Sequence, residues 1–229
     1  MTKINEHEDN YSLRSRVFSR IRDGILNGTY HDNEELKEVA ISEQLGVSRT
    51  PVREAFHQLE LLGLVKIVPN KGAYVTGITI DDVRDIYMMR SLLEGLCARW
   101  ATQNITDELV EAMEENIYLS EFHAKKGHVE QLAELDSEFH QMLYKASNSR
   151  MLQKQLKDFH EYVLRVRKKT LAQEVRSIEC NEEHRQIMEA IKHKDADRAE
   201  ILANNHVKNA FKNMEKSGLY EAYGVSNER

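Results

Sequence analysis

The sequence predicts a mainly α fold in two parts, a three-helix unit closed by a β-hairpin and then an all-α bundle of six helices. Three observations predict it. Apolar residues recur at three-and-four spacing through most of the chain. The one stretch of β pattern, Leu64 to Val75, is interrupted by Pro69-Asn70-Lys71-Gly72, as a hairpin would be. No proline follows Pro69, so nothing in the second part forces a helix to stop by that route.

A chain of 229 residues is long enough for two domains with separate cores. Gly77 breaks the pattern and Thr79 can cap the next helix, which divides the chain into residues 1–77 and 78–229. The connection is short, so it should transmit rotation better than a flexible tether. With 41% hydrophobic and 31% charged residues the composition is that of a water-soluble globular protein. No apolar run approaches the roughly 20 residues of a membrane span, and Met1 to Tyr11 is polar, so a cytoplasmic location is expected. Cys97 and Cys180 are expected to be reduced thiols.

Residues 1–11 read as a polar arm. Val17, Ile21, Ile25 and Leu26 mark the inner face of a first helix that stops at Asn27-Gly28, with Arg14, Arg16, Arg20 and Arg22 on its other sides as solvated charge, Arg14 or Arg16 also able to meet backbone phosphate. Leu36, Val39, Ala40 and Leu45 supply the apolar positions of a short second helix, which Gly46 ends in a left-handed conformation. Val47 enters the core. Ser48 is a good N-cap for the third helix, and Pro51 falls within its first turn, where a missing N–H costs no bond. Val52, Ala55, Phe56, Leu59 and Leu62 form its buried face, and Gly63 ends it. The strands are Leu64 to Val68 and Ala73 to Val75.

The opening turn of the third helix presents Ser48, Arg49, Thr50 and Arg53 at the positively polarised end of a helix, where phosphate oxygens and base edges are favoured partners. An α-helix fits the major groove of B-form DNA, and arginine can bond guanine bidentately. Lys71 at the tip of the hairpin supplies a basic wing. Each residue alone would read more readily as capping or solvated charge; a glycine turn, a capped basic helix and a basic-tipped hairpin in sequence point to double-stranded DNA. The net charge of -6 runs against that reading, but its distribution does not. Between Ser48 and Lys71, Arg49, Arg53, Lys66 and Lys71 outnumber Glu54 and Glu60, and the local field governs phosphate contact.

The second part reads as helices over 80–103, 106–126, 129–146, 150–174, 177–193 and 195–216, followed by a tail from Gly218. Asp136 and His140 lie one turn apart on one of them, beside apolar Leu132, Phe139 and Leu143. His184 shares its inward spacing with Ile187, Met188 and Ile191, and His206 is flanked by Leu202, Ala203 and Ala210. Four potential ligands thus face inward from three helices. A carboxylate and three imidazoles suit a divalent transition metal, zinc or nickel ahead of cobalt, manganese or iron(II). His123, His128, His160 and His193 have polar neighbours and read as surface residues.

Residues 13–76 resemble the winged helix-turn-helix of the GntR family of bacterial transcription regulators. Leu45-Gly46-Val47-Ser48-Arg49-Thr50-Pro51-Val52-Arg53-Glu54-Ala55 carries the likeness, with Leu61 to Val65 and Lys71 to Val75. The resemblance implies that Arg49, Thr50 and Arg53 touch bases or phosphates while Gly72 lies along the minor groove. Val39 departs from it, standing where some relatives place a DNA-contacting arginine. Residues 80–215 are similar to the FCD domain of the FadR subfamily through Asp136 to His140, Glu183 to Ile191, His206 and the opening run Asp85 to Glu94. Six helices point to its VanR-like group. The resemblance implies a homodimer on a palindromic operator, acting as repressor or activator, with a small carboxylic acid as effector completing the metal's coordination.

With a divalent ion, three neutral imidazoles and Asp136 would leave a formal charge of about +1, which suits an anionic ligand. Arg90 could pair with a second carboxylate of that ligand, or form an ion pair with Glu94 one turn on. Arg165 and Arg167 are weaker candidates of the same kind. Two other readings remain open: the metal itself as the signal, and a helical metalloenzyme, which would leave the DNA-reading unit unexplained.

Overall fold

The computed structural model describes residues 13–69 and 71–217, with only the backbone described at 165–171 and 174. The expected arm and tail lie outside the described residues, as do Asn70 in the hairpin turn and the side chains of Arg165 and Arg167. Two compact units meet between Ile78 and Thr79. Among the described residues no helix is long and apolar enough to cross a membrane.

The first unit runs α1 (Leu13–Leu26), β1 (Glu35–Leu36), α2 (Glu38–Leu45), α3 (Arg49–Leu61), β2 (Val65–Val68) and β3 (Gly72–Val75). Its antiparallel sheet has the order β1-β3-β2. Val17 and Ile21 of α1, Leu45 of α2, Val52, Ala55 and Leu59 of α3 and Ala73 of β3 are completely buried. At about 1.5–3 kcal/mol for each large aliphatic side chain, this small core is what orients α3.

Several expectations fail here. Leu36 is buried, but on β1, where it pairs with Ala73, and not on the second helix. Because α2 starts at Glu38, its helical phase turns Ile41, Ser42 and Leu45 inward and leaves Val39 and Ala40 exposed. Leu62 is 49% exposed because it stands past the last turn of α3, where the chain swings toward Gly63. Val47 is only half-buried. Gly46 does end α2 as expected, with a left-handed φ of 71° and its N–H returned to Glu43 and Ser42 carbonyls.

Gly72 has a structural reason to be glycine. Its φ is +127°, and a Cβ there would lie 2.7 Å from the Leu36 carbonyl oxygen of the neighbouring strand β1. Sequence reading had no access to this because a two-residue strand leaves no alternation to detect.

The second unit contains α4 (Ile80–Asn104), α5 (Asp107–Lys126), α6 (Val129–Ala146), α7 (Arg150–Leu171), α8 (Glu174–Lys192) and α9 (Ala196–Lys216). A capping box opens α4: Thr79 accepts from the Asp82 N–H at 3.1 Å and the Thr79 N–H donates to the Asp82 carboxylate at 2.9 Å. Thr106 caps α5, which ends at left-handed Gly127, and Asp195 caps α9. The expected break at Ser177 is wrong. That serine is buried in the first turn of α8, and the break falls at Ala172-Gln173. Serine is tolerated in a first turn, so its presence did not fix the cap.

Helices α4 and α9 approach closely at Gly95, where a Cβ would stand 3.1 Å from the Glu200 carbonyl oxygen. Arg99 of α4 ties the same pair of helices by bonding Asp197 and Glu200. The core of the unit runs through Ala98, Met113, Phe139, Leu143, Leu156, Ile187 and Ala203. It holds α6, α8 and α9 in register around a polar centre.

Candidate nucleic-acid interface and metal centre

Ser48 has the extended backbone of an N-cap but makes no side-chain cap bond. It stands with Arg49, Thr50 and Arg53 at the start of α3, where the three helical residues are exposed. Arg49, Arg53, Lys71 and Gly72 line one groove of about 630 Å³ between α3 and the hairpin. Lys37, Glu35, Glu38 and His57 also line it, so its charged lining is four basic residues against two acidic. Of the basic residues counted in the sequence, Arg49, Arg53 and Lys71 share this concave face and Lys66 does not line it; Lys37 is the fourth.

Glu38, which sequence reading did not single out, ties this face together. Its carboxylate accepts from Arg53 Nε and Nη2 at 2.8 and 2.7 Å, and from Arg49 Nη2 at 3.3 Å. The Arg53 hydrogen bond holds the Glu38 carboxyl below its ordinary range, against a smaller opposing effect of burial. One residue in the first turn of α2 thus fixes the fork of Arg53 and takes a single bond from Arg49 at the start of α3. Spacings of 11 and 15 residues carry no local signal, and this is why it was missed.

In the second unit the three expected imidazoles converge. His140, His184 and His206 are each buried to within 2% exposure, and their donor nitrogens lie within 4.8 Å of one another. The Nε2 atoms of His140 and His206 are 3.3 Å apart. Asp136, also buried, places Oδ1 3.9 Å from His140 Nε2 and 3.8 Å from His184 Nε2. A second group of donors overlaps the first: Asp136, His184 and Cys180, the last not foreseen. Phe139 stacks on His184 with centroids 3.8 Å apart and planes 9° from parallel, which fixes that ring.

Two carboxylates set the orientation of the rings from behind. Glu94 Oε2 lies 2.9 Å from His140 Nδ1, and Glu183 Oε2 lies 2.7 Å from His206 Nδ1. With the Nδ1 side engaged, the Nε2 side is turned inward; outer carboxylates on ligating histidines do this and raise the basicity of the ring. Burial would raise the Glu94 carboxyl, but the charge of Arg90, and then that of His140, overcomes it and holds the group well below the usual carboxylate range. Burial likewise pushes Glu183 up, and hydrogen bonds from His206 and Arg176 outweigh it, leaving the carboxyl at about 2. Both groups are anionic.

Of the two roles left open for Arg90, the structure shows the ion pair. The guanidinium is 2% exposed and donates from Nε and Nη2 to Glu94 Oε1 at 2.9 and 2.7 Å. Tyr144 donates to the same oxygen at 2.9 Å. The Arg90 fork is therefore engaged on Glu94 and reaches the imidazoles only through it. His160, expected at the surface, is buried; its Nε2 lies 2.9 Å from Ser137 Oγ and its ring centroid 5.8 Å from that of His140. Its polar neighbours Lys157, Asp158 and Glu161 on α7 hid this. His123 and His128 lie 3.0 Å apart away from the centre, and His193 is exposed.

The donor set fits a divalent metal. Ligand atoms about 2.0–2.3 Å from one tetrahedral ion stand roughly 3.3–3.7 Å from each other. The His140–His206 separation and the distances from Asp136 fall in or just above that span. When bound, the ion would supply a positive centre able to accept an anionic oxygen. A cleft of about 660 Å³ lined by α5, α6 and α7 is a different place. Tyr144, which donates to Glu94, is among its lining residues.

Comparison with known proteins matches residues 85–209 to the FCD domain and residues 13–75 to the bacterial regulatory proteins of the gntR family. Among similar proteins is an uncharacterized HTH-type transcriptional regulator, YdhC of Bacillus subtilis, 29% identical over 83% of this chain and 87% of the relative. Another is the HTH-type transcriptional repressor RspR of Escherichia coli, 27% identical over 85% of this chain and 86% of the relative. Among solved structures, E. coli McbR/YncC has the same fold with a TM-score of 0.71 at 21% identity, covering 90% of this chain and 99% of its own.

Proposed function

The chain belongs to the GntR family of bacterial regulatory proteins and carries an FCD domain, and we propose that it is a homodimeric repressor controlled by a small carboxylic acid that meets a metal in the helical unit. It is a transcription regulator and not an enzyme, as the family is. In this reading Arg49 and Arg53 read base edges from the start of α3, with Ser48, Thr50, Lys71 and Gly72 on the backbone around them. The local charge of that groove supports it. Asp136, His140, His184 and His206 hold a divalent ion, zinc or nickel first, and the acid completes its coordination.

One observation carries the effector half of the proposal. Two of the three imidazoles are backed by carboxylates on Nδ1, the buried Glu94 and the partly buried Glu183, an arrangement that aims Nε2 at a common point and has no need to exist in an ordinary helical core. Regulation is by population shift: the acid must favour one arrangement of the paired DNA-reading units over another. Measured metal content and thermal unfolding with a panel of small mono- and dicarboxylates test this. A ligand that binds only the folded state raises the melting temperature, by an amount set by RT ln(1 + [L]/Kd). The proposal expects a carboxylate-induced rise that appears with metal and vanishes in its absence. A rise independent of metal would put the acid elsewhere.

A second reading has its own support. Cys180 with Asp136 and His184 forms a second set of three donors that overlaps the three imidazoles, so protein donors alone can hold the ion. A closed site is the mark of metal held for its own sake. In that case operator affinity tracks the metal alone.

A further inference from the structure

Cys180 stands one helical turn before His184 on α8 and is 3% exposed. Its Sγ lies 3.6 Å from Asp136 Oδ1 and 3.8 Å from His184 Nε2, and the third edge, from Asp136 Oδ1 to His184 Nε2, is 3.8 Å. These three edges nearly reproduce the roughly 3.3–3.7 Å spacing of donors around one tetrahedral ion. A thiol that merely filled space would need neither a carboxylate nor an imidazole at that distance.

We infer that Cys180 is an inner-sphere ligand, its sulfur bound to the same divalent ion as His184 and Asp136. The inference rests on the metal centre proposed above and extends its ligand set. On binding, the S–H bond breaks, its electron pair forms the metal–sulfur bond, and the proton leaves to solvent. With Asp136 and a thiolate both in the sphere, a divalent ion carries a formal charge of zero in place of +1, so an anionic effector gains less from the field and must compete with the sulfur for its position. The softer donor also shifts preference toward zinc and cobalt and away from manganese.

The rival account is that Cys180 donates only a weak hydrogen bond to Asp136 Oδ1. Cobalt(II) distinguishes the two, because thiolate coordination gives a near-ultraviolet charge-transfer band that nitrogen and oxygen ligands do not. The metal-free full chain is titrated with cobalt(II), bound cobalt is quantified, and the spectrum is recorded for the native chain, Cys180→Ser and Cys97→Ala. Cys97 is buried but belongs to neither donor group, and it controls for the other thiol.

The expected result is a band that saturates with bound cobalt, persists in Cys97→Ala, is absent from Cys180→Ser and is removed by zinc. Stoichiometric cobalt in the native chain without the band overturns the inference and leaves the metal centre standing. No bound cobalt overturns both. Should Cys180→Ser fail to fold, the native chain and Cys97→Ala still decide the matter, since a band retained in Cys97→Ala has only one thiol to come from.

Discussion

Glu94→Gln is the most informative single substitution in the helical unit, because one buried carboxylate serves two separable purposes. It neutralises Arg90, buried on α4, and it fixes His140 through Nδ1. Removing the charge while keeping the shape leaves the Arg90 guanidinium uncompensated. Breaking a buried pair in this way costs about 3–5 kcal/mol, a large part of the roughly 5–15 kcal/mol available to a typical domain. The second loss is the aim of His140, for which an outer-partner deletion typically costs about 10–100-fold in metal affinity.

Denaturant unfolding of metal-free protein measures the first loss, and chelator competition measures the second. A double replacement, Arg90→Met with Glu94→Met, separates them. It removes the uncompensated charge, so most of the stability should return, while metal affinity should stay low because nothing engages His140 Nδ1. If the double variant regained native metal affinity, or if Glu94→Gln lowered stability with no change in metal binding, the orienting role assigned to Glu94 would be refuted.

Other consequences concern the DNA-reading unit. Arg49→Ala and Arg53→Ala should each weaken operator binding by about 1–3 kcal/mol; unchanged gel shifts would remove them from the base-reading set. Glu38→Gln loosens the fork of Arg53 and the single bond from Arg49 and deletes a negative charge from the groove, so binding to random DNA should strengthen more than binding to operator. A specificity ratio equal to or above the native one would contradict a positioning role for Glu38. Gly72→Ala meets both an unfavourable φ and the Leu36 carbonyl, and should lower stability of the first unit by about 1–3 kcal/mol; an unaltered unfolding midpoint would show that β1 can yield without cost.

Much of the fold was legible because its boundaries are chemically marked. Gly46, Gly63 and Gly127 end helices where left-handed backbone is required, Thr79 and Thr106 begin them, and 129–146 was read with the bounds α6 has. Elements without such marks were lost. Strand β1 is two residues long, and its pairing with β3 is a contact between distant segments that no local pattern encodes. Val39 and Ala40 were misplaced because an eight-residue helix contains too few turns to fix its phase.

The site divides along the same line. Asp136 with His140, and His184 with its apolar neighbours, were found because donors and core share one helix face. Cys180 obeys the same one-turn rule toward His184 and could have been found by it. Glu38 and Glu183 could not, since glutamates are common on solvated helix faces and only tertiary packing turns these two toward their partners; Glu94 was legible as a partner of Arg90 one turn away but not of His140 on another helix. His160 was lost to the opposite error, its charged neighbours suggesting a surface that the packing of α7 covers.

In the proposed function a metal in the helical unit governs the DNA affinity of the winged unit. Operator binding measured for the native chain and for His184→Ala, each metal-free, metal-loaded, and metal-loaded with the carboxylate that most raises the melting temperature, tests it directly. The acid should change native operator affinity only when metal is bound, and His184→Ala should keep folded, measurable DNA binding with neither metal nor acid response. An acid response that survives intact in metal-free protein or in His184→Ala would contradict it.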